Sequence, residues 1–414
     1  MINHLREQLP SFTEDKKLVL QQQTITFNSP GTILQDFQTI LEFLQPDGVE
    51  VSSTYHHFSL KYLQRLNSRL SYPIETNLKR PQQKSYPYIH GLYFVLRTSG
   101  LSQVITQGRK SKLVLDEEFL NVWQGLNPTE KYFTLLESWL IWGESELLGD
   151  FRDPYGLLFR CLQFWRDIPS EGLNFNSYSE QNKLVYYPGF HNLALLHLFG
   201  LLEITPLKPE PGKGWLVTAV KRCPWGDAII ALLSEIYDEI EPDREEAEIT
   251  LDFHIAFEKL KPHLQTYFPE WEQTLTITKG EFTLGIYTFK VTLLDAWRRI
   301  AIPTNLNLDK VASTIVQAFD FDFEHLYRFI YKDHLGRTFE FTHPFVDIPP
   351  NTSDFRLGDL PLDIRNHLQL TYDLLDEWEF DMQLEKIEPA NTKIDVSKIL
   401  ELHGKPPAQY YEEE

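Results

Sequence analysis

Three residues of the C-terminal third carry types and spacing suited to chemistry: His325 in DFDFEHLYRF, and Asp373 and Asp376 in TYDLLDEWEF. Two neighbouring carboxylates split their titrations and attract hard, oxygen-seeking cations. Adding an imidazole suits borderline divalent metals or acid–base work. His325, Asp373 and Asp376 are therefore the candidate catalytic set, on which a metal-dependent nuclease or hydrolase would be built. A hydrogen-bonded acidic turn and a hydrogen-bonded histidine are the structural alternatives for the same residues.

A second set is cationic. Between Thr76 and Leu115 stand Lys79, Arg80, Lys84, Arg97, Arg109, Lys110 and Lys112, with no acidic residue among them. Such a run is where phosphate contacts to DNA are expected, because affinity for a polyanion rests on local lysine and arginine. Lys208, Lys213, Lys221 and Arg222 repeat the theme more weakly. The Arg298-Arg299 pair could hold a phosphate by paired donors or answer nearby carboxylates. Phosphate-loop, dinucleotide-binding, zincin and nucleophile-elbow signatures are all missing.

The elements that must carry these residues follow from period and caps. Ile33, Phe37, Ile40, Leu41 and Leu44 recur at helical steps. From Pro87 an apolar helix, YIHGLYFVLRTSG, stops at Gly100, and LSQVITQGRKSKLVL supplies two short strands around a basic turn at Gly108. FHNLALLHLFG, ending at Gly200, and LLEITPLKPEPGKGWLVTAV repeat that layout, so two winged-helix-like modules are expected. Asn127, Pro128 and Glu130 offer a capping box for a helix whose stripe is Tyr132, Phe133, Leu135, Leu136, Trp139 and Leu140. Carboxylates dominate from Glu235 to Glu258, which marks a solvated connector.

After Ile286 the period becomes two. Strands are expected around Tyr287 to Leu293, Ile300 to Ile302, His325 to Tyr331, Thr338 to Thr342, His367 to Tyr372 and Trp378 to Ile387, with a helix over Asn307 to Phe319. Parity puts Leu368, Leu370 and Tyr372 on one face and Trp378, Phe380, Met382 and Leu384 together, with Trp378 in the core. The tail QYYEEE reads as frayed.

Composition bounds the class. The chain has 414 residues, 42 % of them hydrophobic, enough for two or three domains with proper cores. Two cysteines, Cys161 and Cys223, exclude a disulfide framework and a cysteine-rich zinc site. The formal net charge of −20 excludes a molecule that coats nucleic acid over its whole surface. Without a signal-peptide layout or a long apolar run, a cytoplasmic protein with no membrane partner is expected.

The ordered pieces YTFKVTLLDAWRRIAIP, DFDFEHLYRF, RLGDLPL, TYDLLDEWEFDMQLEKI and HGKPPAQY resemble the plasmid pRiA4b ORF-3-like family, also labelled insertion-element passenger TnpR-type proteins, over about residues 286 to 410. The N-terminal helices and hairpins resemble the extension of its longer members. The resemblance implies an α+β fold and a history beside mobile elements, without an activity to carry over. Two departures stand out: Leu374-Leu375 replace the family's Phe-Gly, and Phe380 stands where a histidine is common. Loss of that glycine predicts a strained left-handed residue at Leu375. The shorter Gly404-Lys-Pro-Pro-Ala-Gln-Tyr segment replaces a cysteine-bearing ending.

The expected organisation is α+β: a mostly helical N-terminal region with winged-helix-like modules at 1–125 and 126–245, an acidic, helical connector at 246–285, and a domain at 286–414 whose mixed or antiparallel sheet grasps one helix. The expected role is a binding or accessory factor associated with mobile elements, contacting DNA through residues 76 to 115, or a protein partner. A metal-dependent enzyme and a pure protein scaffold are the alternatives. No cofactor is expected beyond a divalent metal in the enzyme reading.

Overall fold

The computed structural model describes residues 9–107, 110–149, 156–240, 254–278, 282, 284–333, 338–346, 348, 350–364, 366–389 and 396–410. The architecture is α+β, in two compact units. The first comprises Met1–Glu246 and Ala256–Thr276, the second Ala247–Ile255 and Ile277–Glu414. Arg109 and most of the acidic run after Ile240 lie outside the described residues.

In the first unit one order of elements occurs twice. Helix α1 (Ile33–Leu44), strand β1 (Val49–Val51), helices α2 (Leu60–Asn67) and α3 (Pro87–Thr98), and hairpin β2 (Ser102–Gln107) and β3 (Lys110–Leu115) form a three-stranded sheet of order β1-β3-β2. After the intervening α4 (Pro128–Leu140) come α5 (Gly156–Arg166), β4 (Leu173–Asn174), α6 (Tyr178–Lys183), α7 (Phe190–Leu198), β5 (Leu202–Leu207) and β6 (Leu216–Arg222), in the same sheet order, β4-β6-β5. Proline at the first position starts α3, and Gly100, at φ 76°, ends it in the left-handed region that glycine occupies without strain. Gly200, at φ 70°, does the same after α7.

The two helices that precede the hairpins pack on each other. All of α3 is buried, and so is nearly all of α7. Gly91 allows the approach, since a Cβ there would stand 2.8 Å from Leu195 and 3.1 Å from the His191 carbonyl oxygen. Tyr88 Oη and His197 Nδ1 meet at 2.8 Å, and the His90 and His191 rings lie 5.6 Å apart. Burial drives the imidazoles of His191 and His197 down to about 4.

Helix α4 supplies the rest of this core. Its Asn127 side chain accepts from the Glu130 amide at 3.0 Å while Glu130 accepts from the Asn127 amide at 2.8 Å, the expected capping box. Glu130 also accepts from the amides of Glu272 and Gln273, at 2.9 and 2.5 Å. Glu137 accepts from Leu260 and Lys259, at 2.9 and 3.1 Å, and burial pushes its carboxyl up to about 8. Phe133 stacks on Trp271 at 4.7 Å. The stretch from Phe257 to Leu275, read from sequence as connector, thus contributes Phe257, Leu260, Leu264, Phe268, Trp271 and Leu275 to the interior of the unit.

The second unit is one antiparallel sheet with a helix on its apolar side. Its strands are β7 (Gly285–Leu293), β8 (Ala296–Pro303), β9 (Tyr327–Lys332), β10 (Thr338–Thr342), β11 (His367–Tyr372), β12 (Trp378–Pro389) and β13 (Lys398–His403), in the order β10-β9-β11-β12-β7-β8-β13. Helix α8 (Leu308–Ala318) is capped by Asn307, which accepts from the Lys310 amide at 2.9 Å. Its Leu308, Val311, Ala312 and Ile315 share a core with Leu368, Leu370, Tyr372, Phe380, Met382 and Leu384, as strand parity predicts. Trp378 is only half-buried against that core, packing on Phe321 at 5.3 Å. No helix among the described residues is long and apolar enough to cross a membrane.

Candidate functional site

The acidic turn between β11 and β12 is built on Asp373. This residue holds φ 55°, a conformation aspartate tolerates better than most residues. Its Oδ1 accepts from the Leu375 amide at 3.1 Å, and its carbonyl oxygen accepts from the Glu377 amide at 2.7 Å. The other left-handed residue of the turn is Glu377, at φ 50°, not Leu375. The strain expected at Leu375 is absent because the left-handed residues fall two positions earlier and two later, leaving Leu375 94 % exposed.

Tyr372 positions the histidine. Its buried hydroxyl donates to the Asp322 carbonyl oxygen at 2.7 Å and accepts from the amides of Glu324 and His325, at 3.0 and 3.2 Å. This holds the loop before β9 so that His325 Nδ1 lies 3.1 Å from Asp373 Oδ2. On the far side, His325 Nε2 lies 2.9 Å from Tyr410 Oη. Tyr410 donates to Asp322 Oδ2 at 2.5 Å, and Gln409 Nε2 donates to Asp322 Oδ1 at 2.8 Å and to Tyr410 Oη at 3.2 Å. Gln409 and Tyr410, within the tail read as frayed, are docked.

A phenol has one proton to give, and Tyr410 gives it to Asp322. The hydrogen bond from Tyr410 holds the Asp322 carboxyl below the usual range, and the same bond pushes the phenol up to about 12. His325 thus stands with Nε2 at the Tyr410 oxygen and Nδ1 at the Asp373 carboxylate.

His325 and Asp373 are thus brought together, whereas Asp376 sits exposed in the turn and makes no hydrogen bond or ion pair among the described residues. Among the described residues no group of three or more His, Cys, Asp or Glu is arranged to hold a metal ion. Phe380, at the family's histidine position, is buried against Phe319 at 5.2 Å. The sequence reading missed Gln409 and Tyr410, although both lie in the HGKPPAQY segment that carried part of the resemblance.

The cations of residues 76 to 115 divide. Lys79, Arg80 and Lys84 are exposed and have no ion-pair partner among the described residues. Lys110 is exposed and pairs with Glu50 at 3.2 Å, and Lys112 is half-buried opposite Glu50 in the sheet register. Arg97 is buried in α3, where it donates to Tyr93 Oη at 3.0 Å. The Arg298-Arg299 pair answers groups of its own unit. Arg299 meets Glu385 at 2.6 Å and also pairs with Glu401, while Arg298, buried, donates to the carbonyl oxygens of Ala318 and His403.

Residues 285–410 match the model of the family described as plasmid pRiA4b ORF-3-like protein, the region where the resemblance was read. No curated protein matches the chain. Among solved structures, the crystal structure of a protein of unknown function from Methanosarcina mazei Go1 is 22 % identical, with a TM-score of 0.28, over 30 % of this chain and 73 % of that one.

Proposed function

We propose that this chain, with its pRiA4b ORF-3-like C-terminal region, is a cytoplasmic, mobile-element-associated accessory factor that binds the backbone of nucleic acid through the basic stretch preceding α3. In this reading the two repeats of helix, strand, two helices and hairpin are winged-helix-like modules. A winged helix that reads bases inserts the helix before its hairpin into the major groove. Here those helices, α3 and α7, are buried against each other, which closes that route and leaves contact with phosphates.

The observation that carries the reading is the trio Lys79, Arg80 and Lys84, exposed and without ion pairs among the described residues of a chain whose net charge is −20. No internal pair has to break before these cations meet a polyanion. The test is fluorescence anisotropy with labelled duplex and single-stranded DNA between about 50 and 200 mM salt. The parent should bind with affinity that falls as salt rises. Lys79→Glu/Arg80→Glu/Lys84→Glu should bind far more weakly, with a salt slope flatter by about 2 to 3. No binding by the parent at the lowest salt overturns the reading.

The contact of His325 Nδ1 with Asp373 favours a second reading, acid–base chemistry on His325, since a carboxylate at one ring nitrogen orients the other. Tyr410 holds that other nitrogen, so His325→Ala should abolish, and Tyr410→Phe should raise, any hydrolysis of phosphodiester or ester probes. Equal turnover by His325→Ala and parent removes this reading.

A further inference from the structure

The stretch that carries Lys79 and Arg80 is laid across the second module. The Asn77 amide donates to the Lys213 carbonyl oxygen at 3.1 Å, and the Gly212 amide donates to the Asn77 carbonyl oxygen at 3.1 Å. The Asn77 side chain adds a bond from Nδ2 to the Pro209 carbonyl oxygen, at 2.5 Å. Leu78 then packs on Gly214, where a Cβ would meet it at 3.3 Å. These contacts join residues that are far apart in sequence, and they seat the residues before Lys79 on the turn between β5 and β6.

That turn carries its own cations. Lys208 is exposed and has no ion-pair partner among the described residues. Lys213 is committed, pairing with Glu210 at 2.9 Å and lying 4.0 Å over the Tyr178 ring. The Glu210 carboxylate is answered by that pair, and Glu75 precedes Asn77 in the chain.

We infer that the nucleic-acid-binding surface spans both modules, with Lys79 and Arg80 of the strap and Lys208 of the second hairpin contacting successive phosphates of one strand. The inference rests on the reading proposed above. An isolated phosphate is held by donors converging on one point, whereas these cations are exposed on the strap and on the hairpin turn that it crosses, an arrangement that suits a chain of phosphates. The strap also explains why an asparagine is placed at 77: its main chain and side chain together clamp three residues of the turn.

The experiment compares the full chain with Lys208→Glu, with Asn77→Ala and with Lys79→Glu/Arg80→Glu, on a single labelled DNA strand across a salt series. Circular dichroism and thermal melting of each variant confirm that it is folded. Lys208→Glu is expected to bind several-fold more weakly, with a salt slope flatter by about 0.7, the value of one phosphate contact on a single strand. Asn77→Ala, which keeps all the cations but removes the side-chain clamp, is expected to weaken binding as well. If Lys208→Glu and Asn77→Ala bind like the parent while Lys79→Glu/Arg80→Glu does not, the surface is confined to the first module. The proposed function then stands without this inference. If the parent does not bind, both fall.

Discussion

His325 and Asp373 meet at 3.1 Å through Nδ1 and Oδ2, although they belong to different loops of the second unit. Tyr410 holds the ring's other nitrogen and ties the end of the described chain to the same place. Tyr410→Phe removes both the bond to Asp322 and the bond to His325, and Asp322→Asn leaves one acceptor oxygen for two donors, Tyr410 Oη and Gln409 Nε2. Each variant should exchange the amide protons of Lys405, Ala408, Gln409 and Tyr410 faster than the parent, with the sheet amides unchanged. Parent-like exchange in both would show that the tail is held by other contacts.

The first unit should be most stable near the ordinary histidine value, about pH 6.5. Burial depresses His191 and His197 to about 4, so their contribution is complete above about 6.5 and is lost as pH falls through that window. Burial raises Glu137 to about 8, so its fold-favoured protonated form is lost as pH rises from the ordinary carboxyl range to that value. Each group changes stability by about 1.4 kcal/mol per pH unit inside its window. On the acid side the depressed histidines of this unit, His57 and His90 beside His191 and His197, outweigh Glu137, and between about pH 6.5 and 8 Glu137 sets the slope. Urea midpoints at several pH values check this: Glu137→Gln should flatten the alkaline limb and His191→Gln the acid limb. Unchanged limbs in the variants would refute the assignment.

Gly91→Ala separates helix propensity from packing. Propensity alone favours alanine in a helix by about 1 kcal/mol. Against this, the added Cβ would lie 2.8 Å from Leu195 Cγ and 3.1 Å from the His191 carbonyl oxygen. Overpacking of this kind costs about 1–3 kcal/mol, so the melting temperature should drop. A rise would mean that α3 and α7 can move apart freely.

In the acidic turn the strained residue is Glu377, at φ 50°. Glu377→Gly should gain up to about 1.5 kcal/mol, since the left-handed cost of about 1–2 kcal/mol is relieved and about 0.5–1 kcal/mol of chain entropy is lost. Leu375→Gly restores the family's residue yet relieves no strain, so it should be neutral or destabilising by about 1 kcal/mol. The reverse order in chemical denaturation would move the left-handed position to Leu375.

Local rules made much of this protein legible in its sequence. The α+β class, the ends of α3 at Pro87 and Gly100, the Asn127 capping box, helix α8 and the buried parity of β11 and β12 follow from caps and period, which act over a few residues. Strand β13 escaped because every one of its residues is exposed, so no alternation of burial marks it. Which apolar faces pair is a long-range matter, and only the tertiary structure buried Arg97 with α3 and seated Asn77 on the second hairpin. The same holds for the candidate site. The sequence supplied His325 and Asp373, but their meeting depends on the Tyr372 hydroxyl holding the loop at 322–325, and the partner of the second ring nitrogen arrives from the tail. Residue types fix what a side chain can donate or accept; only the folded chain decides which groups stand within hydrogen-bonding reach.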